Sequence, residues 1–117
     1  MSANQRNTES TVSNHLQAFF HKDVDGIVQD YIKESVLILP TGPLQGPSEI
    51  RKFFAGLIET MPSGFLEAFK LHKKVFLGEI GYIVWEARPW VQLATDTFFI
   101  RDGKIATQTF ASYPALR

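Results

Sequence analysis

The stretch from Ala94 to Tyr113 limits what this chain can fold into more than any other. Two runs rich in Thr, Phe, Ile and Ala, "ATDTFFI" and "KIATQTFASY", flank Arg101, Asp102 and Gly103. Asp-Gly between alternating apolar runs is the strongest short-range signal for a β-hairpin, because its two-residue turn needs positive φ. Such a ribbon must bury one face, and its period-two alternation says which residues share it. Ala94, Asp96, Phe98 and Ile100 fall together, and Gln108, Phe110 and Ser112 are the inner candidates on the last strand. Asp96 is therefore a carboxylate on an apolar face. Unpaired burial would be costly, so it needs a partner whatever its role.

The region before the ribbon extends the pattern into a meander of strands over 65–76, 82–87, 91–100 and 104–113, broken at "LGEIG", "RPW" and "RDG". In "YIVWEA" the inner set is Ile83, Trp85 and Ala87. The first half reads as helical. Val12, Leu16 and Phe19 are spaced for one helix face behind Ser10 or Thr11, and Asp23 can cap a second helix bearing Val24, Ile27, Val28 and Tyr31. "SVLIL" is a short strand stopped by Pro40, and "PTGPLQG" is a turn. Pro47 then opens a third helix whose stripe is Ile50, Phe53, Phe54, Leu57, Ile58 and Met61. Residues 1–9 are expected to form a polar tail and 10–117 a single domain. Helices first and strands later argue α+β rather than alternating α/β.

Composition narrows the classes of partner. Of 117 residues 44% are hydrophobic and ten are Phe, enough for a core without staples. Twelve basic residues balance twelve acidic ones with no like-charge block, which speaks against nucleic acid or an anionic membrane surface. With no Cys there is no disulfide, thiolate nucleophile or thiolate metal site. The polar start and the lack of a long apolar run lead to the expectation of a soluble, cytoplasmic protein. Three His at positions 15, 21 and 72 lack ligand spacing, and no Gly-rich phosphate loop occurs, so neither metal nor cofactor is called for.

Taken in order, "AFFHKDVDGIVQDY", "SVLILPTGPLQGPSEIRKFF", "YIVWEA" and "TDTFFIRDGKIATQTFASY" resemble the nuclear-transport-factor-2-like, or SnoaL-like, superfamily over about residues 10 to 115. The resemblance implies a cone-shaped α+β barrel, a strongly curved mixed or antiparallel sheet closed by three N-terminal helices, commonly as a homodimer. It is weak for function, because this fold hosts isomerases, cyclases, dehydratases and non-catalytic binding domains. Beside ketosteroid isomerase, the carboxylate base position just before the Pro-x-Gly turn falls on Leu39. The Tyr donor position of the first helix falls on His15, and the neutral-acid donor position on Asp96. Tyr31 matches a supporting hydroxyl, and a second supporting Tyr has become Phe54. Leucine cannot take a proton, so the usual isomerisation would need another base.

Asp96 and His15 are accordingly the catalytic candidates, an acid/base pair if both reach one cavity. Each also has a plain alternative, a carboxylate held by Thr or Gln108 and a core histidine bonded to Tyr31 or a carbonyl. Tyr31, Leu39, Phe53, Trp85, Phe98, Gln108 and Phe110 are the candidates for the ligand-binding wall. The expected ligand is a small hydrophobic molecule. Two functional classes stay open: a cofactor-independent isomerase, cyclase or dehydratase, and a binding or dimeric interaction domain without turnover.

Overall fold

The computed structural model describes residues 3–115, which form four helical segments and one six-stranded sheet. Helix α1 (Ala3–Phe20) and the short α2 (Val24–Val28) lead into strand β1 (Tyr31–Leu39), which turns into β2 (Gly42–Gln45). Helix α3 (Gly46–Thr60) and the single turn α4 (Phe65–Ala68) precede β3 (Phe69–Leu77), β4 (Ile80–Ala87), β5 (Val91–Arg101) and β6 (Lys104–Tyr113).

The sheet order is β2-β1-β6-β5-β4-β3, antiparallel except where β1 runs parallel to β6. It is mixed and open, with β2 and β3 as its two edges, so the expected closed barrel is not formed. Helices α1 and α3 pack on one face, α1 against β3, β4 and β5, and α3 against β1 and β2. The core between the layers holds Val12, Ile27, Leu37, Ile50, Phe98 and Ile105, all nearly or wholly buried.

Several boundaries differ from the sequence reading for local reasons. Residues 3–9 belong to α1 rather than to a tail; Thr8 is buried, and its hydroxyl donates to the Gly78 carbonyl at 2.7 Å. Residues 1 and 2 lie outside the described residues. Asp23 caps α2 as expected, accepting from the Gly26 N–H at 3.0 Å. Tyr31, however, begins β1 instead of ending that helix. "GPLQ" forms β2, paired with β1 from Val36 to Leu39. Residues 65–68 form a turn of helix before β3 begins.

Two irregularities set the inner face. In the β5–β6 hairpin Asp102 (φ 52°) and Gly103 (φ 74°) make the two-residue turn, and Arg101 pairs with Lys104. Ile100 then pairs with Ile105, but Phe99 pairs with Thr107, leaving Ala106 as an extra residue. One inserted residue inverts the alternation beyond it. Ile105 and Gln108 therefore both face inward, where a regular strand would have turned Thr107 in. The second irregularity lies in β1, which bulges against β6 between Tyr31 and Val36. Buried Ser35 bridges the gap, accepting from the Ile32 N–H at 2.8 Å and donating to the Ile105 carbonyl at 2.6 Å.

Candidate functional site

Asp96 sits opposite Ile83 on β4 and Phe110 on β6. Its hydrogen-bond donors come from the diagonal positions two residues away, within reach of long side chains. The Trp85 indole N–H donates to Oδ1 at 2.8 Å, and the Gln108 amide donates to Oδ2 at 2.9 Å. Behind them the Tyr31 hydroxyl donates to Gln108 Oε1 at 2.5 Å. That bond orients the Gln108 amide so that its N–H side faces the carboxylate. Trp85 is itself held between Phe69 and Phe110, stacked at centroid distances of 4.8 and 6.1 Å.

Burial pushes the Asp96 carboxyl up to about 6, with the Trp85 and Gln108 hydrogen bonds pulling in the other direction. Desolvation therefore outweighs two good donors, yet the group is mainly ionised at neutral pH. An ionised carboxylate can accept a proton, whereas the matched position implies a neutral acid. Tyr31 is raised well above its ordinary value by burial first and by Asp96 second, so it stays a donor.

His15 reaches the same space from α1, on the buried stripe with Thr8, Thr11, Val12 and Phe19. Its ring meets Tyr31, Phe54 and Phe98 edge-on, at 6.0, 5.6 and 5.5 Å between centroids. Nδ1 is buried with no hydrogen-bond partner among the described residues. The expected bond to Tyr31 is absent, because that hydroxyl goes to Gln108. Burial lowers the His15 pKa to about 4, so the imidazole is neutral across the physiological range.

These groups line one cavity. It has a volume of ≈ 50 Å³ open to the centre of a water-sized body. One water needs ~10–15 Å³ by that measure, so the space suits about four waters or a molecule of similar bulk. His15, Trp85, Asp96, Phe98 and Gln108 are among its buried lining; Phe53, Leu57, Phe69 and Phe110 line it while only partly buried. Of the nine site candidates, the cavity brings seven together. Tyr31 stands behind Gln108 rather than on the wall, and Leu39, half-buried at the end of β1, does not line the cavity.

Sequence reasoning missed Leu16, Phe19, Leu37, Phe54, Leu57, Phe69 and Ile83 as wall residues. Leu57 and Phe54 share a stripe with Phe53 on α3, and Leu37 pairs with Gln108, so helix periodicity would have found the first two and only the register the third. Elsewhere Asp30 Oδ2, in the turn just before β1, is buried without a partner among the described residues, and burial raises that carboxyl to about 6; it lies outside the cavity. His72 and Arg88 pair with Glu86 on the other side of β4, at 2.6 and 3.0 Å. Among the described residues no helix is long and apolar enough to cross a membrane.

No protein-family model matches the sequence, and no curated protein is similar to it at the sequence level. Solved structures match it well. An NTF2-like protein of unknown function from Mesorhizobium loti superposes with a TM-score of 0.78 at 15% identity, covering 96% of this chain and 95% of its own. A SnoaL-like protein of unknown function from Burkholderia thailandensis gives a TM-score of 0.76 at 14% identity, covering 92% and 95%. A Sinorhizobium meliloti protein, provisionally assigned as a polyketide cyclase, gives 0.72 at 16% identity over 86% and 93%. The chain has the fold of these NTF2-like and SnoaL-like proteins.

Proposed function

We propose that this protein binds a small, largely apolar molecule in the cavity and moves a proton on it without a cofactor. Asp96 is the base, and His15 hydrogen-bonds the bound molecule. The observation that carries this reading is the meeting of a buried carboxylate, Asp96, and a buried imidazole with a partnerless Nδ1, His15, on one apolar cavity. A carboxylate with a pKa near 6 is a far better proton acceptor than a solvated one, and the apolar walls keep it so. The usual base position at Leu39 is not needed, since Asp96 fills that role from β5. Isomerase, cyclase and dehydratase chemistry each ask for this much and no more.

Deuterium uptake from D₂O into the acidic C–H positions of small ketones, enols and hydroxy compounds, followed by NMR, tests the reading without presuming the reaction. Uptake that depends on the wild-type protein and vanishes in Asp96→Asn is the expected result. A binding module without turnover is the second reading, favoured by one observation: both Asp96 oxygens already hold a donor. Ligand-induced shifts at the Trp85 indole N–H with no uptake would select it.

A second copy of the chain is the proposed macromolecular partner, docked on the sheet face opposite the helices. There the row Val36, Thr107, Phe99, Ile80 and the row Ile38, Thr109, Thr97, Tyr82 carry no charge. Ile80 is 47% exposed and Phe99 38%. These four strands, taken about seven residues deep, give a footprint of ~450 Å² before the side chains add relief, more than half of the ~800 Å² per partner of a standard interface. Sedimentation should show a dimer that Phe99→Lys converts to a monomer; a wild-type monomer at micromolar concentration would end this part of the reading.

A further inference from the structure

The carboxylate of Asp96 faces the cavity with nothing of opposite sign to balance it. Every described lysine and arginine side chain is exposed, and none lines the cavity. Trp85 and Gln108 supply hydrogen bonds but no charge. His15 cannot compensate either, since burial keeps it neutral down to about pH 4. A buried charge satisfied only by neutral donors remains expensive until a counter-charge joins it. What this carboxylate lacks is thus not donors but a cation.

The walls favour the same kind of occupant. Seven of the fourteen lining residues are Phe or Trp, so the space is poor in groups that would hold an anion and rich in rings that attract an ammonium ion. The volume admits only a short body. We propose that the ligand is a small organic cation, a primary to quaternary ammonium ion whose nitrogen pairs with Asp96 and whose carbon groups pack on the aromatic rings. This rests on the reading of the cavity as the ligand site and adds the chemical class of the ligand. A neutral alcohol of the same shape would meet the same walls without relieving the charge.

The test compares cations with uncharged molecules of matching shape. Calorimetry at pH 7.5 would measure choline against 3,3-dimethylbutan-1-ol, and butylammonium against 1-butanol, on the full chain. Each cation should bind about tenfold more tightly or better, and Asp96→Asn should erase the difference. Should the Asn variant fail to fold, wild-type protein at pH 5 serves instead. Asp96 is then mainly protonated, while His15, the other titratable group on the cavity, is still neutral. The remaining neighbours of Asp96, namely Ile83, Trp85, Gln108 and Phe110, do not titrate in this range, so the preference should shrink toward parity. Equal affinity for cation and alcohol at pH 7.5 overturns the cationic ligand and leaves the ligand site standing. No binding by any of the four overturns both.

Discussion

Asp96 and His15 make opposite demands on stability over one pH window, and separating them is the sharpest check on the site. The Asp96 carboxyl moves from 3.8 to about 6 on folding, so the folded state holds its proton more tightly than the unfolded chain. Its contribution is fully present below pH 3.8 and is lost as pH rises through about 6, an amount of about 3 kcal/mol at ~1.4 kcal/mol per pH unit. His15 moves from 6.5 to about 4, so the unfolded chain takes the proton first. Its contribution is fully present above pH 6.5 and is lost as pH falls through about 4, again about 3 kcal/mol. In the wild type the two slopes nearly cancel. Asp96→Asn should leave only the histidine slope, so that stability climbs by about 3 kcal/mol between pH 4 and 6.5. His15→Phe, an aromatic ring among Tyr31, Phe54 and Phe98, should leave only the carboxylate slope, and stability should fall by a similar amount from pH 4 to 6. Asp30, half-buried and raised in the same direction as Asp96, is common to all three proteins and cancels on subtraction. Urea unfolding at half-unit pH steps gives the curves. If the mutant-minus-wild-type differences are flat with pH, neither group is desolvated in the folded protein, and both the base and the cation site lose their foundation.

Three further outcomes follow from the hydrogen bonds and packing. Tyr31→Phe should cost about 1–3 kcal/mol by orphaning Gln108 Oε1. It should also raise the Asp96 pKa further, because the amide is no longer held with its N–H side toward the carboxylate; a carboxyl ¹³C titration reads this directly. Ser35→Ala should cost about 1–3 kcal/mol, since it strands the Ile32 N–H and the Ile105 carbonyl at once, and the amide exchange of Ile32 should accelerate well beyond that of its neighbours. Phe98→Ala, at a fully buried position beside His15, should lose about 3–5 kcal/mol and open the cavity to bulkier ligands, measured by denaturant midpoint and by the size of ketone or amine that binds.

Much of this arrangement was legible in the chain because each cue was local. Asp102-Gly103 named its own turn, Asp23 its own cap, Pro47 its own helix start, and alternation along β5 alone put Asp96 and Phe98 on one face. What stayed hidden depends on partners far away in sequence. Tyr31 fits a helical stripe with Val24, Ile27 and Val28, and only the β1–β6 pairing turns it into the first residue of a strand. "GPLQ" has no strand character of its own and is extended because β1 pairs with it. Nothing polar at the start of α1 advertised that Thr8 would be buried against the β3–β4 turn. The site shows the same division. Which side chains face inward was readable, but which of them would hold Asp96 was not, because the diagonal contacts from Trp85 and Gln108 depend on the register of β4, β5 and β6.

The place of β6 between β1 and β5 also orders events in time. The meander from β3 to β6 closes short turns, whereas β1 joins β6 across some seventy residues, and the Tyr31–Gln108 bond spans 77. Closing so long a loop costs entropy before any contact rewards it, so the helix-bearing half should dock late onto a hairpin ribbon already formed. Until it does, Asp96 has its indole donor but an unoriented Gln108, and His15 has no wall to face. Refolding followed by tryptophan fluorescence, from Trp85 and Trp90 on the ribbon, and by ligand capture should therefore separate: fluorescence would change while the ribbon forms, and binding would appear only with the final phase.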